Sequence, residues 1–273
     1  MTLEELRSEI DKIDRKLLTH LNERVQLAAE IGRLKNKNGD EIYVPKREEE
    51  VLARLNRYND GPLTEKAIRA IYREVMSAAI ALEKEVSVAY LGPETTYTHQ
   101  AALKKFGASI AYEAHSTISD VFGVVEKGEA DYGVIPIENS TEGVVIHSLD
   151  MFVESDLKII SQIFLEISHQ LISDSPLNEI TKVYSKDQAL GQCRGWLQRH
   201  LPNAVCIDSD STAEGVRIAK ENPGCAAIAS SLAAEFYGVP VVAEGIQDKA
   251  NNMTRFLVIG RKSSGPVGNG KDK

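Results

Sequence analysis

Arg24 and Lys35 are the first residues whose type and spacing point to a chemistry. They lie eleven residues apart in a run of helical periodicity; at about 100° per residue this puts them on nearly one face of a helix, roughly 16 Å apart along its axis. Two long cations so placed can clamp a ligand with two carboxylates. Arg7 lies roughly 25 Å before Arg24 and about 100° round the helix, so it can act only in the site of a second copy. The alternative for each cation alone is a solvated helix position.

Three polar clusters in the rest of the chain follow or precede predicted strands. They span residues 92–99, 137–143 and 251–256, and are rich in Asn, Thr, Ser and Glu. Each cluster alone is typical of turns and helix caps. Strands that end side by side would bring the three together as one binding site.

The elements that must position these residues change character at Glu85–Val86. Before it, apolar residues recur every three or four positions from Leu3 to Leu34 and predict one amphipathic helix over 3–35, roughly 50 Å long. Pro45 suits the first turn of a second helix, and Thr64 suits the N-cap of a third. The first helix would overhang the other two, so we expect a second copy to cover its apolar face in a homodimer.

After residue 86 short apolar strands alternate with helices. This alternation predicts parallel sheet with crossover helices, arranged as two α/β lobes with a ligand cleft between them. The first lobe takes strands near 87–91, 110–112 and 132–137, and the second takes strands near 182–185, 204–207 and 226–229. We expect the last two strands, 239–243 and 256–259, to return to the first lobe. A helix is predicted over 188–200.

Composition limits the kind of protein. The 273 residues carry a formal net charge of -8, which argues against a nucleic-acid surface. No apolar run approaches the ~20 residues of a membrane helix. The three cysteines are odd in number and lack metal-binding spacing, so we expect a cytoplasmic protein without a metal site. We also expect no cofactor.

Residues 3–85 together resemble the all-helical chorismate mutases. The motifs that carry the resemblance are Leu6-Arg7, Asp14-x-x-Leu17-Leu18, Glu23-Arg24, Ala29-Glu-Ile-Gly32, Lys35 and Pro45-Lys-Arg-Glu-Glu-Glu-Val-Leu52. The resemblance implies three helices in an intertwined dimer, with chorismate bound by Arg24, Lys35 and the partner's Arg7. It implies these chorismate-binding positions: Arg7, Arg24, Lys35, Val44, Arg47, Glu48, Ala79 and Glu83.

The resemblance also implies the roles of the catalytic residues. Chorismate rearranges to prephenate by a pericyclic shift, so the protein must fold the substrate and stabilise charge on the ether oxygen. Lys35 and Glu83 would do this, and Glu83 can donate a hydrogen bond only when protonated. Glu48 would accept a hydrogen bond from the ring hydroxyl. Val44 and Ala79 stand where the family usually has Asp and Ser, and each removes a side-chain contact.

Residues 88–260 resemble the prephenate dehydratases. The most diagnostic motifs are Pro136-Ile-Glu-Asn-Ser140 and Thr254-Arg-Phe256, with support from Ser168-His-Gln170, Gln188-Ala-Leu-x-Gln-Cys193 and Ser211-Thr-Ala-Glu214. The resemblance implies that Thr254 is catalytic and donates to the C4 hydroxyl of prephenate as it leaves. The implied prephenate contacts are Glu138, Asn139, Ser140, Thr141, His169, Gln192, Arg255 and Phe256. Thr95 replaces the glycine usual in the first loop.

We therefore predict three regions: a mutase domain over 1–85, a two-lobed dehydratase domain of the periplasmic-binder type II architecture over 86–262, and a flexible tail over 263–273. Relatives commonly continue into an ACT domain that binds phenylalanine. Since the chain ends at Lys273, we expect feedback inhibition to be absent or weak.

Two other functions stay open at the level of the sequence. The two-lobed part could be a small-anion binding module, with the helices as a dimerisation stalk. Alternatively, only the dehydratase half is active. Incubation with chorismate separates the first case, and supplying prephenate directly separates the second.

Overall fold

The chain forms two compact units. The structure, a computed structural model, describes residues 1–38, 43–83 and 86–262, except for the side chains of residues 36–38 and 83. The helical unit comprises Met1–Ser87 with Lys105–Ala111 and Lys262, and the α/β unit comprises Val88–Lys104 and Tyr112–Arg261. The division at residue 86 stays a prediction, but the segment Lys105–Ala111 clusters with the helices. The predicted tail lies outside the described residues.

Three helices build the helical unit, as predicted: α1 (Leu3–Asn38), α2 (Pro45–Tyr58) and α3 (Glu65–Glu83). Pro45 starts α2, where its missing N–H breaks no helical bond. Thr64 precedes α3, and its Oγ1 accepts a hydrogen bond from Ala67 N at 3.2 Å. Both predicted helix starts are therefore confirmed.

The apolar face of α1 is largely exposed within the chain. Ile10 and Leu17 are 56% and 53% exposed. The same face includes Leu3, Leu6, Ile13, Leu21, Ile31 and Leu34. Side chains of this kind are normally buried, but the described residues of the chain leave most of this face uncovered.

The first sheet of the α/β unit has the order β2-β1-β3-β11-β5, with β4 beside β3. Its strands are β1 (Ser87–Leu91), β2 (Ala111–His115), β3 (Tyr132–Asn139), β4 (Gly143–Val144), β5 (Lys158–Glu166) and β11 (Met253–Gly260). β1 runs parallel to β3, while β11 is antiparallel to both β3 and β5. Helices α4 (Tyr97–Phe106), α5 (Ile118–Lys127) and α6 (Ile146–Glu154) belong to this part of the chain. The core includes the fully buried Val121, Phe122 and Ile135.

The second sheet has the order β10-β6-β9-β7-β8. Its strands are β6 (Gln170–Ile172), β7 (Lys182–Ser185), β8 (Val205–Asp208), β9 (Cys225–Ala229) and β10 (Val241–Ala243). The helices between them are α7 (Asp187–Gln192), α8 (Arg194–His200), α9 (Thr212–Glu221) and α10 (Ser231–Tyr237). β7 lies parallel to β8 and β9. The two sheets confirm the predicted two-lobed α/β architecture.

Three details differ from the prediction. The strand near 239–243 does not return to the first sheet: β10 pairs antiparallel with β6, because it follows α10 after only a short connection. The predicted helix over 188–200 is two helices that meet at Cys193. The sheets are mixed rather than parallel, since β11 and β6 run antiparallel to their neighbours. No described helix is both long and apolar enough to span a membrane.

Candidate active sites

The helical unit contains a cavity of about 630 Å³, within the range of small-molecule sites. Its described lining carries six cationic side chains and one carboxylate, that of Glu48. The six cations are Arg24, Lys35, Arg47, Arg54, Arg73 and Lys105. This surplus of positive charge suits a ligand with two carboxylates.

Six of the eight predicted chorismate positions line this cavity: Arg24, Lys35, Val44, Arg47, Glu48 and Ala79. The guanidinium carbon of Arg24 lies 6.0 Å from the centroid of the Tyr72 ring, which orients it. Arg7 is exposed and does not line the cavity, as the helix geometry predicted for its own chain. The backbone of Glu83 ends α3, and its side chain lies outside the described residues.

Val44 is the N-cap residue of α2, and its side chain supplies no capping hydrogen bond. The first-turn N–H groups of Arg47 and Glu48 lie 3.0 and 3.2 Å from the carbonyl oxygen of Val44. An Asp at this position would also accept a first-turn N–H through its side chain. Valine at this position therefore leaves the start of α2 without a side-chain cap.

Glu48 has two polar neighbours that the sequence did not identify. Its Oε2 lies 2.9 Å from Lys105 Nζ and accepts a hydrogen bond of 3.3 Å from the Tyr43 hydroxyl. Lys105 follows Glu48 by 57 residues, so no local pattern links the two. Tyr43 directly precedes Val44, a predicted chorismate position, so it was the easier of the two neighbours to identify from the sequence.

The α/β unit contains a cleft of about 380 Å³ between its two sheets. The first sheet lines it with Asn139, Thr254 and Phe256, which lie on β3 and β11. The second sheet contributes Gln192 at the end of α7, and His169 lies between β5 and β6. The three polar clusters of the sequence therefore meet at one cleft.

Thr254 is held by the amide of Asn139. The two residues are register partners on β11 and β3, and Asn139 Nδ2 donates to Thr254 Oγ1 at 2.7 Å. Asn139 Oδ1 accepts the backbone N–H groups of Thr141 and Glu142, at 2.9 and 3.1 Å, so the orientation of the amide is fixed. Because Oγ1 accepts from Asn139, the Thr254 proton remains for another acceptor.

A hydrogen-bonded chain continues from Asn139 through the cleft. Asn139 Nδ2 also donates to Asn252 Oδ1 at 2.9 Å, and Asn252 Nδ2 donates to Gln192 Oε1 at 2.8 Å. Gln192 Nε2 donates to Glu142 Oε1 at 3.2 Å. Gln192 Oε1 is therefore an acceptor, and the amide orientations agree along the whole chain.

These amides also assign the tautomer of His169. Its Nε2 lies 2.8 Å from Gln192 Oε1, so Nε2 carries the proton and donates it. Its Nδ1 lies 2.8 Å from the Tyr97 hydroxyl and accepts from it, while Ser168 O lies 3.0 Å from the same hydroxyl. Burial lowers the pKa of His169, and the hydrogen bond to Gln192 opposes this in part. Burial also raises the pKa of Tyr97, so both groups stay neutral near pH 7.

Comparisons with known proteins match both units. The family model described as chorismate mutase type II covers residues 6–84, and that described as prephenate dehydratase covers residues 88–264. The bifunctional chorismate mutase/prephenate dehydratase of Aquifex aeolicus is 47% identical over 98% of this chain and 76% of its own. The chain belongs to this bifunctional family. It catalyses both steps in phenylalanine biosynthesis, from chorismate to prephenate and from prephenate to phenylpyruvate, with loss of water and CO2.

Two further matches agree with this family. The bifunctional chorismate mutase/prephenate dehydratase of Neisseria gonorrhoeae is 44% identical over 99% of this chain and 76% of its own. A crystal structure of the prephenate dehydratase of Arthrobacter aurescens in complex with L-Phe has a TM-score of 0.61 and 33% identity. It covers 65% of this chain and 61% of its own. Membership of this family argues against both alternatives drawn from the sequence, namely an anion-binding module and a chain with only one active half.

Four of the predicted prephenate contacts do not line the dehydratase cleft. Arg255 lies between Thr254 and Phe256, and strand alternation turns it to the other face, where its guanidinium carbon is 5.9 Å from the Phe164 ring. Glu138 pairs with Arg255 and is exposed. Ser140 Oγ accepts from Met253 N at 2.9 Å and so ties the turn after β3 to β11; Thr141 lies in the same turn. These residues support the strands that hold Thr254 and Asn139.

The cleft also includes residues that the sequence did not single out. Tyr97, Glu142 and Asn252 lay within the quoted clusters, but the sequence did not show which member of each cluster faces the ligand. Lys186, just before α7, has the one cationic side chain among the described lining residues, since His169 is neutral. A single lysine forms no spacing pattern, so the sequence did not indicate that Lys186 lines the cleft.

Thr95 adopts the left-handed backbone conformation, with φ 67. Its N–H donates to His99 Nδ1 at 3.1 Å, and its carbonyl accepts from Ser230 Oγ at 3.1 Å. Glycine reaches this conformation without the steric strain of a β-branched residue, so Thr95 occupies a position that favours glycine.

Proposed function

We propose that the cleft around Thr254 is the prephenate site and that the Thr254 hydroxyl assists departure of the C4 hydroxyl. The observation that carries this is the 2.7 Å hydrogen bond from Asn139 Nδ2 to Thr254 Oγ1, which directs the threonine proton to an outside acceptor. The leaving oxygen of prephenate is such an acceptor. A positioned donor of this kind typically contributes about 10²–10⁴-fold to a rate.

The reaction balances with one proton and no redox partner. The bond between C1 and its carboxylate breaks, CO2 leaves, and that electron pair enters the ring as the C4–O bond breaks. The departing oxygen takes up one proton and leaves as water. Thr254 starts this transfer, and solvent finally supplies the proton, since a threonine is too weak an acid to remain deprotonated.

The rest of the cleft binds and orients prephenate. Lys186 offers a cation to a carboxylate, and Gln192 and Asn252 present fixed amides. The neutral His169 adds no positive charge that would stabilise the carboxylate against its departure as CO2. Glu138, a prephenate contact implied by the resemblance, does not line the cleft, whereas Glu142 does.

A pH prediction follows from the lowered pKa of His169. Because the folded protein binds this proton more weakly than the unfolded chain, stability is full above pH 6.5 and is lost as pH falls below it. For one proton the slope is at most about 1.4 kcal/mol per pH unit. Urea unfolding from pH 7.5 to pH 5 measures it in the wild type and in His169→Gln.

The wild type should lose more stability towards pH 5 than the variant, which has no proton to bind at this position. Dehydratase activity should show no titration of His169 above pH 6.5. Equal pH slopes for the two proteins would contradict the assignment of a buried neutral imidazole.

For the mutase, we propose that the cationic cavity of the helical unit holds the two carboxylates of chorismate. Arg24 and Arg47 lie there with Lys35, which would reach the ether oxygen, and Glu48 would accept the ring hydroxyl. Glu83 would donate to the ether oxygen in its protonated form. These groups stabilise a compact conformer and the charge that develops as the ether bond breaks.

We also propose that the enzyme is a homodimer formed through α1. The support is the apolar stripe of α1, more than half exposed at Ile10 and Leu17, together with Arg7 exposed away from its own cavity. In a two-fold dimer the same face of each copy meets the other. The partner's Arg7 can then enter the cavity that contains Arg24.

Mixing two inactive variants tests this arrangement. Arg7→Ala and Arg24→Ala should each lose mutase activity, while a mixture after subunit exchange should recover about a quarter of the wild-type level, because half of the dimers have one intact site. Both variants should keep full dehydratase activity with prephenate. A mixture that stays inactive although heterodimers form would refute the shared site.

We place the enzyme in the cytoplasm. Cys193, Cys206 and Cys225 are free thiols, and Cys206 is exposed, which suits a reducing compartment. The net charge of -8 supports small-molecule substrates over a nucleic-acid partner.

A further inference from the structure

Lys105 lines the mutase cavity although its sequence lies inside the region matched by the prephenate dehydratase family, residues 88–264. It is the second-last residue of α4 and belongs to the helical unit. Its Nζ lies 2.9 Å from Glu48 Oε2, with the two side chains only 18% and 15% exposed. A charged pair this shielded interacts more strongly than one in solvent.

The segment that follows Lys105 packs closely against α3. Gly107 has φ +79, and a Cβ there would lie 2.6 Å from Ser77 Cβ, so only glycine fits. The backbone N–H groups of Ala108 and Ser109 donate to Glu74 Oε2 and Ser77 Oγ, at 2.9 and 3.1 Å. These contacts fix the segment just after Lys105 against the helix that also lines the cavity.

Aromatic packing against Tyr43 also holds this segment in place. Phe106 is buried, and its ring centroid lies 4.9 Å from that of Tyr43. Lys105 Nζ lies 5.6 Å from the centroid of the Tyr43 ring, and the Tyr43 hydroxyl donates to Glu48 Oε2. Tyr43, Lys105 and Glu48 therefore form one packed group.

The charge on Lys105 is stable in this setting. Burial lowers the pKa of its ammonium, but Tyr43 and Glu48 together raise it more, so the net shift is upward. Both donors meet Oε2 of Glu48, while Oε1 makes no hydrogen bond within the described part of the chain. One carboxylate oxygen is held by the protein and the other is left to a ligand.

We propose that Lys105 is a positioning residue of the mutase reaction, which holds the Glu48 carboxylate in place to accept the ring hydroxyl of chorismate. The inference rests on the proposed chorismate site. It means that the mutase site is completed by a residue from the dehydratase part of the sequence. The first 85 residues therefore do not contain the whole site.

Substitution of Lys105 in the full-length protein tests this. Lys105→Met keeps the length of the side chain and removes its charge, and should lower mutase kcat/KM by about 10- to 100-fold, as expected for loss of a charge-assisted hydrogen bond. Lys105→Arg should restore most of the activity. Lys104→Met is the matched control, since Lys104 is exposed and donates to the Phe164 carbonyl oxygen away from the cavity. Dehydratase activity with prephenate should be unchanged in all three.

A double-mutant cycle separates positioning from a general structural role. Glu48→Gln alone should lose mutase activity, and Lys105→Met should then cause no further loss in the Glu48→Gln background. A full further loss there, or wild-type mutase activity in Lys105→Met, would overturn the inference. If Glu48→Gln itself had no effect, the proposed chorismate site would be wrong, which is a different result.

Discussion

Replacing Thr254 with valine is expected to lower dehydratase kcat by about 10²–10⁴-fold, the usual contribution of a positioned proton donor. Valine keeps the shape of threonine and removes the hydroxyl that accepts from Asn139 Nδ2. Mutase activity should not change, because Thr254 lies in the α/β unit. The measurement is formation of phenylpyruvate from added prephenate, with loss of chorismate followed on the same preparation.

Thr254→Ser is the control for this substitution. It keeps the hydroxyl on the same β carbon, so Asn139 can still donate to it, and most dehydratase activity should remain. Near-normal turnover in Thr254→Val would remove Thr254 from the mechanism. Equal losses in the valine and serine variants would point to packing rather than to the hydroxyl.

Replacing Lys35 with methionine is expected to have the second large effect. Loss of the cation proposed to stabilise charge on the ether oxygen should lower mutase kcat/KM by about 10²–10³-fold, as for removal of other preorganised electrostatic groups. The side chains are similar in length, so the cavity keeps its shape. Loss of chorismate measures the mutase, and added prephenate should still be dehydrated at the wild-type rate.

Arg33→Met provides the matched control for Lys35. Arg33 lies on the same helix, two residues earlier, and is exposed outside the cavity lining. Its substitution removes the same charge and should leave the mutase within about twofold of wild type, as surface changes usually do. A similar loss in both variants would show that the net charge of α1 matters rather than the position of Lys35.

The sequence predicted the elements well where periodicity is strong. The helical spacing from Leu3 to Leu34 predicted α1, and Pro45 and Thr64 predicted the starts of α2 and α3. It predicted the two sheets but placed β10 in the wrong one, because strand pairing depends on contacts that a local pattern does not contain. For the same reason, the sequence did not predict that both sheets would contain antiparallel strands.

For the sites, too, the sequence predicted some residues correctly and missed others. Helix spacing identified Arg24, and the family resemblance identified Thr254 and Asn139; each of the three lines a cavity. It did not separate residues that face the cleft from neighbours that brace it, as with Thr254 and Arg255, because alternate residues of a strand face opposite sides and the sequence does not say which side borders the cleft. Lys105 was beyond prediction, since only the folded chain brings it to Glu48.

Gln192 joins the two sheets of the α/β unit through the two ends of one amide. Its bonds to Asn252 and Glu142 reach residues next to β11 and β3, whereas Gln192 itself ends α7 of the other sheet. Each bond contributes a net ~0.5–1.5 kcal/mol to stability, because water can hydrogen-bond the same groups when the bond is broken. Breaking both bonds therefore costs about 1–3 kcal/mol. Any separation of the two sheets at the cleft must break both bonds, so this one side chain couples the two walls of the cleft.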